Sequence, residues 1–290
     1  MTRAACPILN SILSQLMSIQ HSGTPAAMLR GLMQNRELLR DLVKRDFIGR
    51  YKGSMLGVVW SLFNPLLMLV IYTFVFSVAF KARWGGHSDE SKVAFAIVLF
   101  SGIIVHTFFA ECLNRSPSLI SSHANYVKKV VFPLEILSWM ALFSALLHFL
   151  VSFCALLAFC VLSGAELHIQ ALLIPLALFP LILMIMGISW ILASLGVYLR
   201  DLSQVIGMLV TISLFLAPVF YPIDSLPEAY KAFLTWNPIT LPVIQLRNLL
   251  LFGKPFEWQP WAISLLIGLA IFQIGYWWFQ KSRRGFADVV

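Results

Sequence analysis

Residues 42–67 read LVKRDFIGRYKGSMLGVVWSLFNPLL. Lys44, Arg45, Arg50 and Lys52 crowd the first half, with Arg40 just upstream and Asp46 as the nearest counter-charge. The second half opens a run that carries no charge until Lys81. A cationic collar leading into a long apolar segment is a membrane-insertion signal. Lys and Arg stay on the cytoplasmic side, and about 20 apolar residues are needed to cross the hydrocarbon. The collar is either topology control alone or also a grip for an anionic lipid head-group or a cytosolic partner.

The bulk composition agrees with a membrane protein. Of 290 residues 59% are hydrophobic and 12% charged, against about 25% charged in soluble domains. The net charge of +8 lies between apolar runs, not on one soluble face as in a nucleic-acid binder, so no nucleic acid is expected. Cys6, Cys112, Cys154 and Cys160 form no C-x-x-C pair and have no zinc-like His spacing, so they read as small apolar residues. Residues 7–19 are interrupted by Asn10, Ser11, Ser14 and Gln15, with no small-residue cleavage pattern after them. The first span is therefore expected to act as its own insertion signal.

Along the chain, residues 1–27 are weakly patterned and read as an N-terminal extension, and 28–55 as an amphipathic interface helix with its basic collar. In 28–47 the apolar set Met28, Leu32, Leu39, Val43 and Phe47 opposes Arg30, Gln34, Glu37, Asp41 and Lys44. Residues 56–290 read as an all-α membrane domain of six spans, at about 56–80, 93–113, 134–162, 171–199, 205–220 and 261–279. Fifteen of the 21 Lys and Arg then fall on the side of the two termini, which predicts cytoplasmic termini.

The fifth run, of about 16 residues, is short for a crossing. Pro218, Pro222, Pro227, Pro238 and Pro242 follow it, among apolar pieces that include Trp236 and Phe252. Non-helical backbone at membrane depth must be buried in protein or line a wet cavity. The stretch 221–252 is thus predicted to form short re-entrant helices, the alternative being an external loop.

Chemistry is sparse. The single Gly-Lys pair, Gly253-Lys254, precedes Pro255 and lacks the glycine of a phosphate loop. Glu111, His106 and His148 are the ionisable residues expected within spans, and such groups are functional hypotheses because their burial is costly. Three such residues are thin provision for a proton- or ion-coupled carrier, which points to energy supplied from outside the chain. The connection 114–135, NRSPSLISSHANYVKKVVFPLE, and the turn at Arg200 and Asp201 are candidate cytosolic contact surfaces, or else plain solvated loops.

Several segments occur in a characteristic order: 42–66, NYVKKVVFPLEIL (125–137), GVYLRDLSQ (196–204), APVFYPIDSLPE (217–228), WNPIT (236–240), IQLRNLLL (244–251) and RRGFADVV (283–290). Together they resemble the permease subunit of type-2 ABC exporters of the polysaccharide and polyol-phosphate group, which exports O-antigen, capsule or teichoic acid. The resemblance covers residues 28–290.

It implies a transporter subunit of the bacterial cytoplasmic (inner) membrane that works as a homodimer with two copies of a cytosolic ABC ATPase. ATP and Mg would sit in that partner, with no cofactor on this chain. The implied substrate is a glycan on undecaprenyl diphosphate. Arg45, Arg50 and Lys52 are then candidates for the diphosphate, where Arg offers bidentate contacts. Trp60, Phe63, Phe74, Phe215 and Tyr221 are candidates to line a sugar channel. Arg115, Tyr126, Lys128, Lys129, Arg200 and Asp201 are candidates for ATPase coupling. Pro222, Trp236, Asn237, Pro238 and Arg247 mark the re-entrant region. The alternatives are export of a small lipid or drug, and a membrane-embedded glycosyl- or acyltransferase. The latter would need acidic groups such as Asp89, Glu90, Asp224 and Glu228, which show no paired arrangement in the sequence.

Overall fold

The computed structural model describes residues 25–55, 57–75, 92–127, 132–227, 230, 231, 234 and 236–289. The N-terminal extension up to residue 24, most of the first polar hairpin with Asp89 and Glu90, and also Lys128, Lys129 and Glu228 lie outside the described residues. Everything regular among the described residues is helical. Helices α1 (Pro25–Gln34) and α2 (Arg36–Gly49) precede α3 (Trp60–Thr73) and α4 (Lys92–Arg115). Helices α5 (Ile136–Leu162), α6 (Ile174–Tyr198), α7 (Leu202–Leu216), α8 (Thr240–Leu250) and α9 (Trp258–Ser282) follow.

Four stretches are long and apolar enough to cross a bilayer: Val93–Ser118, Ile136–Leu162, Ile169–Tyr198 and Trp258–Ser282. The first and fifth predicted spans coincide with two shorter apolar helices, Trp60–Ile71 and Leu202–Leu216. The interface helix expected over 28–47 is two helices. Asn35 leaves helical geometry at φ −106° and ψ 21°, and its side-chain amide donates back to the Gly31 carbonyl at 2.8 Å. Asn favours such local bonds over a continuous helix.

Helices α6 and α9 run parallel and touch backbone to backbone. A Cβ on Gly275 would collide with the Gly187 backbone, and one on Gly268 would lie 2.9 Å from the Pro180 carbonyl. Both pairs are seven residues apart, two helical turns, so the contact repeats along one seam. In lipid, where apolar burial gives helices no mutual preference, close packing through small residues is what joins them. Above this seam Trp190 is fully buried and sits against Phe272 and Tyr276 at ring-centroid distances of 5.1 and 5.2 Å. Gly275→Leu must push α9 off α6, and overpacking of this kind costs about 1–3 kcal/mol or more. Loss of the monodisperse peak in detergent chromatography is expected, while Ile274→Leu on the exposed side of α9 leaves it intact.

Two ends of the bundle can be told apart by their contacts. At one end Gly196 of α6 abuts the Pro117 backbone. There too Arg283 bonds Glu135 at 2.9 Å and the Phe132 carbonyl at 2.9 Å, and Tyr198 meets Phe286. The connection after α4, the turn at 199–201 and the chain's tail therefore share one face. At the other end α8 is bound to the start of α4 and to the turn after α7.

Arg247 of α8 makes that second junction. Its side chain is buried, at 3% exposure, and donates to Val98 O at 3.0 Å, Ser101 Oγ at 3.2 Å, Val219 O at 2.9 Å and the Pro218 carbonyl. A guanidinium has five donors in a fixed fork, so one side chain satisfies carbonyls from two separate segments. Gly102 leaves the room, since a Cβ there would come within 3.4 Å of Arg247 Cζ.

Candidate functional site: a two-layer charge ladder beneath a polar cavity

The collar is where the charged residues of three helices meet. Asp46 in the last turn of α2 and Arg50 at its C-cap lie one turn apart; on α4, Glu111 and Arg115 do the same. On α5 the matching pair is Ser144 and His148. Residues four apart share a helix face, so each helix offers two polar groups to its neighbours at the same pitch.

The first layer centres on Asp46. Arg115 grips it with two nitrogens, at 2.6 and 3.1 Å, and Ser144 Oγ donates to it at 2.6 Å. Burial pushes the Asp46 carboxyl up, but the bonds from Arg115 and Ser144 outweigh that and hold it below its ordinary value of 3.8. The second layer centres on Glu111, which accepts from Arg50 and lies 3.0 Å from His148 Nδ1. Arg50 also reaches Asp46 at 3.5 Å, tying the two layers together.

His148 is contacted at both ring nitrogens. Tyr51 lies 3.0 Å from Nε2. Burial raises the Tyr51 hydroxyl above its ordinary value. His148 Nδ1 lies 3.0 Å from both Glu111 carboxylate oxygens and 3.1 Å from Arg50 Nη1. The two carboxylates face two guanidiniums, so these four charges compensate one another at the membrane boundary.

The titration of Asp46 carries a sign. Its stabilisation is fully present above the unfolded value and is lost as pH falls through the lowered folded value. Between pH 5 and pH 3 the wild-type protein is therefore expected to lose more thermal stability in detergent than Asp46→Asn does. Parallel curves for the two proteins would contradict this.

Directly beside the second layer lies a cavity of about 350 Å³. Arg50, Tyr51, Glu111 and His148 form its polar side, and Trp60 and Phe149 supply aromatic wall. The turn leading into α3 is possible because Gly53 and Gly57 take left-handed backbone, at φ 88° and 51°.

The residues expected from the sequence to meet a diphosphate are not free cations in a row. Arg50 is held by Glu111, Arg45 donates to the Tyr126 hydroxyl at 2.6 Å, and Lys52 is exposed on the turn after α2. Trp60 lies edge-on to Phe63 at 5.2 Å, and Phe74 and Phe215 are exposed. Tyr221 donates to the Phe215 carbonyl at 2.9 Å. Of these aromatics Trp60 alone lines the cavity with Arg50.

Among the coupling candidates, Arg115 is in the ladder and Tyr126 holds Arg45. Arg200 and Asp201 are exposed on the shared end. In the expected re-entrant stretch Pro222 precedes a single 3-10 turn, Ile223–Ser225. Trp236 is exposed, and Asn237 donates to Ser213 O at 3.0 Å and accepts from the Ile239 amide just after Pro238. His106 contacts the Val210 carbonyl at 3.1 Å, which makes it a packing residue between α4 and α7. Among the described residues no group of three or more His, Cys, Asp or Glu could hold a metal ion.

Asp46, Tyr51 and Ser144 were not singled out by the sequence as site residues, and Glu111 and His148 were not paired with Arg50. The signal was present. Asp46-x-x-x-Arg50 and Glu111-x-x-x-Arg115 carry the same order of charge, acid then base, which makes the two segments complementary when they pair antiparallel.

The helical bundle, with four helices among the described residues long and apolar enough to cross a bilayer and paired charges at its collar, has the build of a multi-span membrane protein. The profile of the ABC-2 type transporter family matches residues 37–251, and the chain belongs to that family. It is 26% identical over 255 residues to the O-antigen export system permease protein RfbA of Klebsiella pneumoniae, covering 88% of this chain and 95% of that one. The namesake from Myxococcus xanthus is 25% identical over 91% of this chain and 99% of its own. The polysialic acid transport protein KpsM of Escherichia coli is 24% identical, over 80% and 91%.

Proposed function

We propose that this chain is the membrane permease of an ATP-driven exporter that carries a lipid-linked polysaccharide, O-antigen being the favoured cargo, across a bacterial cytoplasmic membrane. The observation that carries this reading is similarity along nearly the whole length to two O-antigen export permeases. The similarity to a polysialic acid transport protein favours capsular polysaccharide as the second reading.

In this reading the two shorter helices α3 and α7 complete six spans, both termini are cytoplasmic, and α8 with the turns before it forms the re-entrant region. Residues 1–27 are an extension, 28–55 the interface helices and collar, and 56–290 the transmembrane domain. Two copies of the chain pair with two copies of a cytosolic ATPase, which holds ATP and Mg. That ATPase meets the end bearing residues 116–127, Arg200, Asp201 and the tail.

The ladder gives coupling a physical route. Arg115 ends α4 where the ATPase-facing connection begins, and it grips Asp46 on the collar. A push on residues 116–127 therefore moves α2. Arg50 borders the cavity and can exchange the Glu111 carboxylate for a diphosphate oxygen, since both are anionic acceptors that suit a guanidinium. Lys52 and Arg45 extend that grip, while Trp60, Phe63, Phe74, Phe215 and Tyr221 offer flat faces to sugar rings.

Deleting the gene in its own host tests the reading. Full-length glycan should accumulate on its lipid inside the cell, and the surface should lose it until the gene is restored. Normal surface glycan in the deletion strain would rule the function out, and failure to polymerise the glycan would point to the transferase alternative.

A further inference from the structure

A second concavity lies on the opposite side of the α2–α5 contact. It encloses about 640 Å³, and its floor is apolar: Leu39, Val43 and Phe47 of α2 face Phe143, Leu146 and Leu150 of α5. One edge is cationic. Arg36, Arg40 and Lys44 line it at successive turns, a ladder of charge about 12 Å long at 1.5 Å per residue. All three are exposed, and no acidic residue is among those that line the groove.

We infer that this groove seats one anionic glycerophospholipid of the surrounding bilayer, with its phosphate on Arg36, Arg40 and Lys44 and an acyl chain against α5. Helix α5 is itself long and apolar enough to span, and Leu147 and Leu150 are exposed on this side, so the groove opens into hydrocarbon. An amphiphile with an acidic head satisfies both the apolar floor and the cationic edge. A second copy of this basic chain brings more positive charge, and a soluble protein brings no tail. The groove shares no lining residue with the cavity beside Arg50. It is therefore assigned to a resident lipid and not to the exported one. The seated lipid would fix α2, and through Asp46 the position of Arg115.

The test uses the purified full chain in mixed micelles of detergent with phosphatidylglycerol or phosphatidylcholine. Phosphatidylglycerol is expected to raise the unfolding midpoint by about 2–4 °C over phosphatidylcholine, with one phospholipid retained per chain in native mass spectrometry. The variant R36Q/R40Q/K44Q should lose that increment while keeping the phosphatidylcholine midpoint. L146W/L150W, which fills the groove and keeps the cations, should lose it too. Equal midpoints in the two lipids would overturn the assignment. So would an increment that survives groove filling, which would mean charge attraction at the surface only. A larger, cation-dependent increment from undecaprenyl diphosphate would overturn it in favour of the exported lipid.

Discussion

Glu111→Leu is expected to reduce export at least tenfold, the largest effect of any single change in the collar. The substitution leaves Arg50 without the Glu111 carboxylate, and removing one partner of a buried pair costs about 3–5 kcal/mol. The side chains of Arg50 and Glu111 are 28% and 15% exposed, so the lower end of that range applies. Part of the loss is structural and part functional, and a double variant separates them. Arg50→Met with Glu111→Leu removes both charges and should recover thermal stability toward wild type. Export should stay low, because in the proposed function Arg50 is the guanidinium that meets the diphosphate. Recovery of export along with stability would show that Arg50 only closes an ion pair.

The second large effect belongs to the other layer. Arg115→Met removes two charge-assisted hydrogen bonds to Asp46, each of a kind worth about 1.5–3 kcal/mol before solvent screening. The variant is expected to assemble with its ATPase and to permit nucleotide hydrolysis, yet to export little. What is lost is the link between residues 116–127 and the collar, not the contact with the ATPase. Hydrolysis and export measured on the same proteoliposomes decide this. A proportional fall in both would mean that Arg115 sits in the docking surface itself.

The segments that span or approach spanning length were legible from the sequence because they depend on composition. A run of apolar residues bounded by Lys, Arg or Pro needs no knowledge of its neighbours, and the helices α4, α5, α6 and α9 follow the predicted runs to within a few residues. The collar was legible as a concentration of cations and illegible as a network. Asp46 looked like a lone counter-charge, and its partner Arg115 lies 69 residues away. Only the antiparallel approach of α2 and α4 brings the two together.

Arg247 illustrates the same limit. Between Leu246 and Asn248 it was legible only as a marker of the re-entrant region, whereas the fold spends it on bonds to Val98, Ser101, Pro218 and Val219. Gly187 and Gly275 are likewise ordinary in sequence, because nothing local distinguishes a glycine at a helix crossing from one in a loose turn. The break at Asn35 had a local cause in its side chain, and the helical period on either side masked it.

The central claim is that the permease supplies a path and a separate molecule supplies the energy. Vesicles holding this chain, its cognate ATPase and a fluorescent undecaprenyl-diphosphate-linked glycan allow leaflet transfer to be followed with a membrane-impermeant quencher. Transfer is expected only when both proteins and ATP with Mg are present, and it should stop when the ATPase lacks its catalytic carboxylate. Equal transfer by this chain alone, or hydrolysis of ATP by this chain alone, would contradict the claim.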